Sequence, residues 1–251
     1  MDLGIEGRVA LVMASSKGIG QGIAEVLARE GARVAMASRS REAIDEAASA
    51  VSGEAAGFVA DTSDLERMSE LPGEVAERFS EPATILVLNT GGPPAGGAHE
   101  HSIEEWDDAF HSLVLAPRLL TEAALPAMRE QGFGRIVNVG SSSTREPIPS
   151  LNLSNSLRQA AIGFLKTLAH EVARDGVTVN TILTGRFATE RLASNWGGWE
   201  EMERSAAQDV PAGRLGTPEE YGELVAFLCS ERASYLTGAQ IPLDGGLLRS
   251  V

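Results

Sequence analysis

Short apolar runs alternate with longer amphipathic stretches along almost the whole chain. Val9–Met13 reads as a buried strand, and residues 22–30, apolar at helical spacing and closed by Gly31, as the first helix. Residues 34–37 give the next strand, a polar helix covers about 41–51, and residues 57–60 form a third strand that ends at Asp61. Ile85–Leu88, residues 135–139, residues 177–182 and Gln240–Leu243 supply four more. Strands that are apolar on both faces and separated by helices predict a parallel sheet covered on both sides. The expected architecture is α/β: a single-domain doubly wound, Rossmann-type sheet of about seven strands with helices on both faces. No internal repeat, low-complexity tract or linker divides residues 1–251. Ligands of such sheets bind at the carboxyl ends of the strands, beside the topological switch point, so the chemistry is expected there.

Composition narrows the partners. A net charge of −14 argues against nucleic acid or an anionic membrane as the main partner, because both attract basic surfaces. Apolar residues at 43% and charged residues at 22% are ordinary for a globular protein. No apolar run approaches the roughly 20 residues of a membrane span. The first eight residues show no apolar segment behind a basic stretch, so no signal peptide is expected. The one cysteine, Cys229, lies in an apolar run and reads as a buried small side chain; with no disulfide possible within the chain, a cytoplasmic location is expected.

After the first strand comes Ala14-Ser15-Ser16-Lys17-Gly18-Ile19-Gly20. Glycines let backbone amides approach a pyrophosphate closely, and the N-terminus of the following helix favours negative charge. The position of this turn, between the first strand and the first helix, is the context a dinucleotide site requires. At the end of the second strand, where an NAD-selective site presents a carboxylate to the ribose 2′-hydroxyl, stand Ser38 and Arg39. A carboxylate there would repel a 2′-phosphate, whereas a guanidinium binds one with paired charge-assisted hydrogen bonds, and Lys17 adds a second positive charge. NADP(H) is therefore expected over NAD(H).

The phosphate loop resembles the Thr-Gly-x-x-x-Gly-x-Gly loop of the short-chain dehydrogenase/reductase family, and is most similar to its 3-oxoacyl-[acyl-carrier-protein] reductase branch. Met13 and Ala14 stand where that pattern has Thr and Gly; the methyl group of Ala14 fits if its φ is negative. The resemblance continues in Asp61-Thr62, which matches the adenine-contacting segment, and in Asn89-Thr90-Gly91 after the fourth strand. It extends to Thr184-Gly185-Arg186-Phe187-Ala188-Thr189, where Thr184 replaces a proline of the nicotinamide-holding segment, and to the C-terminal residues 214–246. It implies a homodimer or homotetramer joined through the helices around 102–130 and 154–174, a substrate loop over about 186–212, and a small-molecule substrate.

The resemblance breaks at the catalytic tetrad. The family pattern is Asn, Ser, Tyr and Lys, in which the tyrosine exchanges the proton and the lysine, one helical turn on, holds the ribose. Ser141 matches the serine, but the tyrosine position falls on Ser154, the lysine position on Arg158 and the asparagine position on Leu113. Arginine can hold ribose hydroxyls but does not shuttle a proton, and losing a positioned general acid costs about 10²–10⁴-fold in rate. Tyr221 and Tyr235, the only tyrosines, lie far along the chain. The resemblance thus implies an NADP(H)-dependent carbonyl/alcohol oxidoreductase in which Ser141 orients the substrate, Ser154 donates a proton or holds a water, and Arg158 anchors ribose. The alternative is a catalytically silent NADP(H)-binding pseudo-enzyme or sensor. A halohydrin-lyase reading, drawn from family members with arginine at the lysine position, is disfavoured because those members keep the tyrosine.

Other candidates carry less. His99 and His101 read as exposed loop histidines that could serve as acids near neutral pH. His-x-His lacks a spaced third ligand, so no metal is expected. Trp196 and Trp199, between glycines, either line an apolar substrate cavity or pack the loop down.

Overall fold

Each predicted strand is present in the computed structural model, which describes residues 1–195 and 197–250. The order is β1 (Val9–Met13), α1 (Gly18–Arg29), β2 (Arg33–Ser38), α2 (Arg41–Ala50), β3 (Ala55–Val59), α3 (Leu65–Phe79) and β4 (Ile85–Leu88). There follow α4 (Ile103–Phe110), α5 (Ala116–Glu130), β5 (Gly134–Val139), α6 (Asn152–Val172), β6 (Val177–Thr184), α7 (Glu190–Asn195), α8 (Trp199–Asp209), α9 (Pro218–Cys229) and β7 (Gln240–Leu243). All pairings are parallel, in the order β3-β2-β1-β4-β5-β6-β7. β1 is flanked by β2 on one side and β4 on the other, so the switch point lies over its carboxyl end.

The strands are buried on both faces because each face carries its own helix layer. On one, Ile23 and Leu27 of α1, Ile44 of α2 and Val225 of α9 pack over Val12, Val34 and Met36. On the other, Met68 and Leu71 of α3, Leu120 of α5 and Leu165 of α6 cover Leu11, Ala35 and Leu86. Alternate residues of one strand therefore enter opposite cores, which is why the strands read as continuous apolar runs. Cys229 is fully buried in the first core, and burial pushes its thiol up to about 12, so it is inert.

Several boundaries differ from the sequence reading; β6, for one, runs on to Thr184, two residues past the expected end. Helix α1 begins at Gly18, four residues earlier than expected, so the glycines of the turn form its first helical turn. β3 starts at Ala55, two residues early, in register with β2. Among the described residues no helix is long and apolar enough to cross a membrane.

Candidate active site

Where β1 ends, Ala14 takes a left-handed conformation, φ 47°. The condition of a negative φ is not met: the turn between β1 and α1 places Ala14 in the left-handed well, methyl group included. Asn89, at the end of β4, donates from Nδ2 to the Ala14 carbonyl at 3.2 Å and so holds the turn in place. Ser15 ties it to the neighbouring strand: its hydroxyl donates to the Val12 carbonyl at 2.9 Å and accepts from the Ala37 amide at 3.0 Å. An L-residue in this well costs on the order of 1–2 kcal/mol that glycine avoids. Ala14→Gly is expected to raise stability by about 1 kcal/mol and the melting temperature by about 2–4 °C, read by thermal unfolding; an unchanged or lower midpoint would refute the strain.

The turn is shaped for an anion. α1 opens at Lys17 with no side-chain cap and no acidic residue in its first turn, so its leading amides have no side-chain acceptor. Gly20 is buried against the turn: a methyl group on it would run into the Ala14 carbonyl and stand 2.7 Å from Asn89 Nδ2. A methyl on Gly18 would lie 3.3 Å from Thr189 Cγ2, which brings the segment after β6 against the phosphate loop. Ser16 and Ile19 are half-buried between them, and Thr184-Gly185 and Gly91 lie at the ends of β6 and β4 on the same sheet edge.

At the far side of the switch point, Ser38 closes β2, is nearly buried, and pairs in register with Val59 of β3. Arg39 follows it, exposed. Arg41 is instead occupied on the surface of α2, with Asp45 at 3.1 Å and the Gly57 carbonyl at 3.3 Å. Lys17 spans the cleft to Glu190 of α7 at 3.1 Å, an exposed pair worth little in water. Asp61 and Thr62 follow β3, where the Asp61 carboxylate accepts the Ser63 amide at 3.0 Å.

The catalytic positions gather around the end of β5. Ser141 begins a short 3₁₀ turn (Ser142–Thr144), and its Oγ accepts the Ser143 amide at 3.1 Å. Ser154 lies in the first turn of α6 and is 8% exposed. One turn on, Arg158 is half-buried and donates from Nη1 to the Val139 carbonyl at 2.7 Å. Burial first, then the nearby charge of Arg191, pushes its guanidinium down to about 10, so it stays charged at neutral pH. Leu113, at the asparagine position, sits in a π-helical turn (His111–Leu115) and packs with Ala109, Leu153 and Leu157 under Trp106. The place of a polar relay is filled with hydrocarbon.

Tyr221, distant in sequence, lies close in space. It is fully buried on α9, stacks edge-on against Phe187 at 5.0 Å, and its hydroxyl meets Thr184 Oγ1 at 2.9 Å. Its phenol is pushed well above the usual range by burial. The hydroxyl thus fixes the end of β6 and is sealed from solvent. Position in the chain gave no hint of this. Thr184, which stands at a proline position of the family pattern, thus finds its hydroxyl partner in Tyr221.

His99 is exposed as expected, but His101 is not: its side chain is 3% exposed, stacked on Gly96, with Nδ1 3.4 Å from Glu105 and Nε2 without a partner. The chain folds back there because Gly96 bridges to Leu151, pinning the loop to the start of α6. Residues 186–212 carry α7 and α8, and Arg186 ties the two ends of this segment through Ser205 at 3.0 Å and Asp209 at 2.9 Å. Trp199 opens α8 and is 46% exposed, so it does not pin the loop; Trp196 lies outside the described residues. Arg191 of α7, two residues past Thr189, lays its guanidinium against Gly92 after β4. Sequence reading passed over it, and its only signal was that spacing.

The chain matches the family model described as Enoyl-(Acyl carrier protein) reductase over residues 13–248. It is 36% identical over 243 residues to human Dehydrogenase/reductase SDR family member 4, covering 95% of this chain and 87% of that protein. It is 32% identical over 246 residues to 3-oxoacyl-[acyl-carrier-protein] reductase FabG of Haemophilus influenzae, covering 98% and 100%. Among solved structures, L-sorbose reductase of Gluconobacter frateurii complexed with NADPH and L-sorbose superposes with a TM-score of 0.95 at 32% identity, over the whole of both chains. YwfH, an NADPH dependent reductase involved in bacilysin biosynthesis, superposes at 0.92 and 27% identity, covering 98% of this chain and all of that one. With sequence match, strand order and glycine turn in agreement over nearly its full length, the chain belongs to the short-chain dehydrogenase/reductase family.

Proposed function

We propose that this protein is an NADP(H)-dependent oxidoreductase that interconverts a carbonyl and an alcohol in the manner of the 3-oxoacyl reductases. The observation that carries this reading is the cradle at the switch point: an uncapped α1 N-terminus, a Gly20 with no room for a methyl group, and Thr189 closing against Gly18. These residues fit a dinucleotide. Ala14, Ser16, Lys17, Gly18, Ile19 and Gly20 would hold its diphosphate, Ser38 and Arg39 the 2′-phosphate, Asp61 and Thr62 the adenine. Asn89, Gly91, Arg158, Thr184, Gly185 and Thr189 would seat the ribose and nicotinamide. When bound, the nicotinamide supplies or accepts a hydride.

The chain's own work is positioning and proton supply. Ser141 orients the substrate oxygen at the end of β5. Ser154, in the first turn of α6, donates a proton or holds the water that does. Arg158 keeps positive charge beside the developing alkoxide and holds the ribose, without losing its own proton. The expected rate is lower than a tyrosine acid would give by about 10²–10⁴-fold. Arg39→Ala is expected to weaken NADPH binding about tenfold while NADH binding stays within a factor of two, by fluorescence titration; equal losses for both would remove the 2′-phosphate role.

A silent NADP(H)-binding role is the second reading, favoured by the apolar cluster around Leu113. Turnover of NADPH against a panel of ketones and β-ketoacyl thioesters separates the two: oxidation above buffer supports the enzyme, and tight binding with no oxidation supports the silent protein. A cytoplasmic homodimer or homotetramer, joined through α5 and α6, completes the proposal and is testable by light scattering.

A further inference from the structure

Two arginines reach the carboxyl ends of the neighbouring strands β4 and β5, Arg191 against Gly92 and Arg158 on the Val139 carbonyl, and neither has a carboxylate partner among the described residues. Arg158 is half-buried, and its one hydrogen bond, to the Val139 carbonyl, leaves most of its five N–H donors unused. Arg191 reaches over from α7 and lies so close to Gly92 that a methyl group there would overlap Nη2 and stand 2.7 Å from Cζ. The two cations oppose one another, since the charge of Arg191 lowers the pKa of Arg158, and burial lowers the pKa of Arg191. Several other arginines of this acid-rich chain pair with carboxylates, as at Arg29, Arg67 and Arg214. Glu190, next in sequence to Arg191, is turned instead toward Lys17. Among the described residues no ion pair involves Arg158 or Arg191. Two like charges facing one cleft are unfavourable until a third, negative group joins them.

We propose that Arg158 and Arg191 receive the carboxylate of the substrate, so that the carbonyl compound reduced is a small oxo acid. The proposal rests on the oxidoreductase reading above and narrows its substrate. An anion could also come from the cofactor diphosphate. That group already has a seat at the α1 N-terminus, however, whereas Arg158 stands one helical turn from Ser154, where the substrate must lie. In the reaction the hydride adds to the carbonyl carbon and the oxygen takes one proton by way of Ser154. The carboxylate stays ionised throughout and serves only to orient the carbonyl.

The test uses the full-length protein saturated with NADPH, whose binding is measured first and on its own. Binding of pyruvate, levulinate and phenylpyruvate is then compared with that of their methyl esters by calorimetry. At least one acid is expected to bind about tenfold or more tighter than its ester, and Arg191→Gln to abolish that preference while NADPH affinity changes less than about threefold. The proposal is overturned if no acid outbinds its ester, or if the preference survives Arg191→Gln. It is equally overturned if Arg191→Gln weakens NADPH tenfold with no acid preference in the parent protein, which assigns the arginine to the diphosphate. Failure to bind NADPH at all in the first step would instead sink the oxidoreductase reading.

Discussion

Gly20→Ala is expected to weaken NADPH binding by at least about 100-fold, because the methyl group has nowhere to go but into the loop that holds the diphosphate. It would overlap the Ala14 carbonyl and press on Asn89 Nδ2 at 2.7 Å, and both are backbone-anchored parts of the turn. Relief requires the turn to open, which breaks the Asn89 to Ala14 hydrogen bond and withdraws the amides from the cofactor. A shift of this size corresponds to about 3 kcal/mol of lost binding, and overpacking of the fold itself adds a cost of about 1–3 kcal/mol to stability. Fluorescence titration reads the first and thermal unfolding the second. NADPH affinity within threefold of the parent in a folded variant would contradict the placement of the diphosphate at this turn.

Arg158→Met is expected to act in opposite directions on stability and activity. The guanidinium is buried beside another cation, and its pKa in the folded protein, about 10, lies below its ordinary value. A base so depressed costs stability wherever it is charged in the folded state. The cost is therefore full at neutral pH and begins to lift only as pH rises above about 10 toward the ordinary arginine value. Methionine fills a similar volume with no charge, so the unliganded variant should melt about 2–4 °C higher, the relieved desolvation outweighing a hydrogen bond to the Val139 carbonyl of about 1–2 kcal/mol. Turnover should fall about 100-fold, since the alkoxide loses its positive neighbour. Lower stability with unchanged turnover would show that Arg158 is a structural strut.

The sequence made the sheet legible because strands buried on both faces are apolar without interruption, and the glycine turn legible because close approach to phosphate needs residues without side chains. The catalytic departures were equally readable, since Ser141, Ser154, Arg158 and Leu113 fall at fixed spacings within single elements. Contacts between distant elements were hidden. Tyr221 meets Thr184 across 37 positions, and Arg191 reaches Gly92 across the cleft, so neither left a local pattern. The left-handed φ of Ala14 was hidden for a related reason: propensity disfavours that well for alanine, and tertiary geometry overrides it with support from Asn89. His101 looked like a surface residue until the Gly96–Leu151 bridge folded its loop inward.

Hydride transfer without a tyrosine acid is tested most directly by following the label. NADPH carrying deuterium at the nicotinamide C4 is mixed in excess enzyme with the best substrate of the ketone, thioester and oxo-acid panels, and the product is weighed by mass spectrometry. One deuterium on the new carbinol carbon, delivered in a single turnover and faster than in buffer, is the predicted result. Tight NADPH binding with no deuterium in any product would contradict it and leave a protein that holds the cofactor without using it.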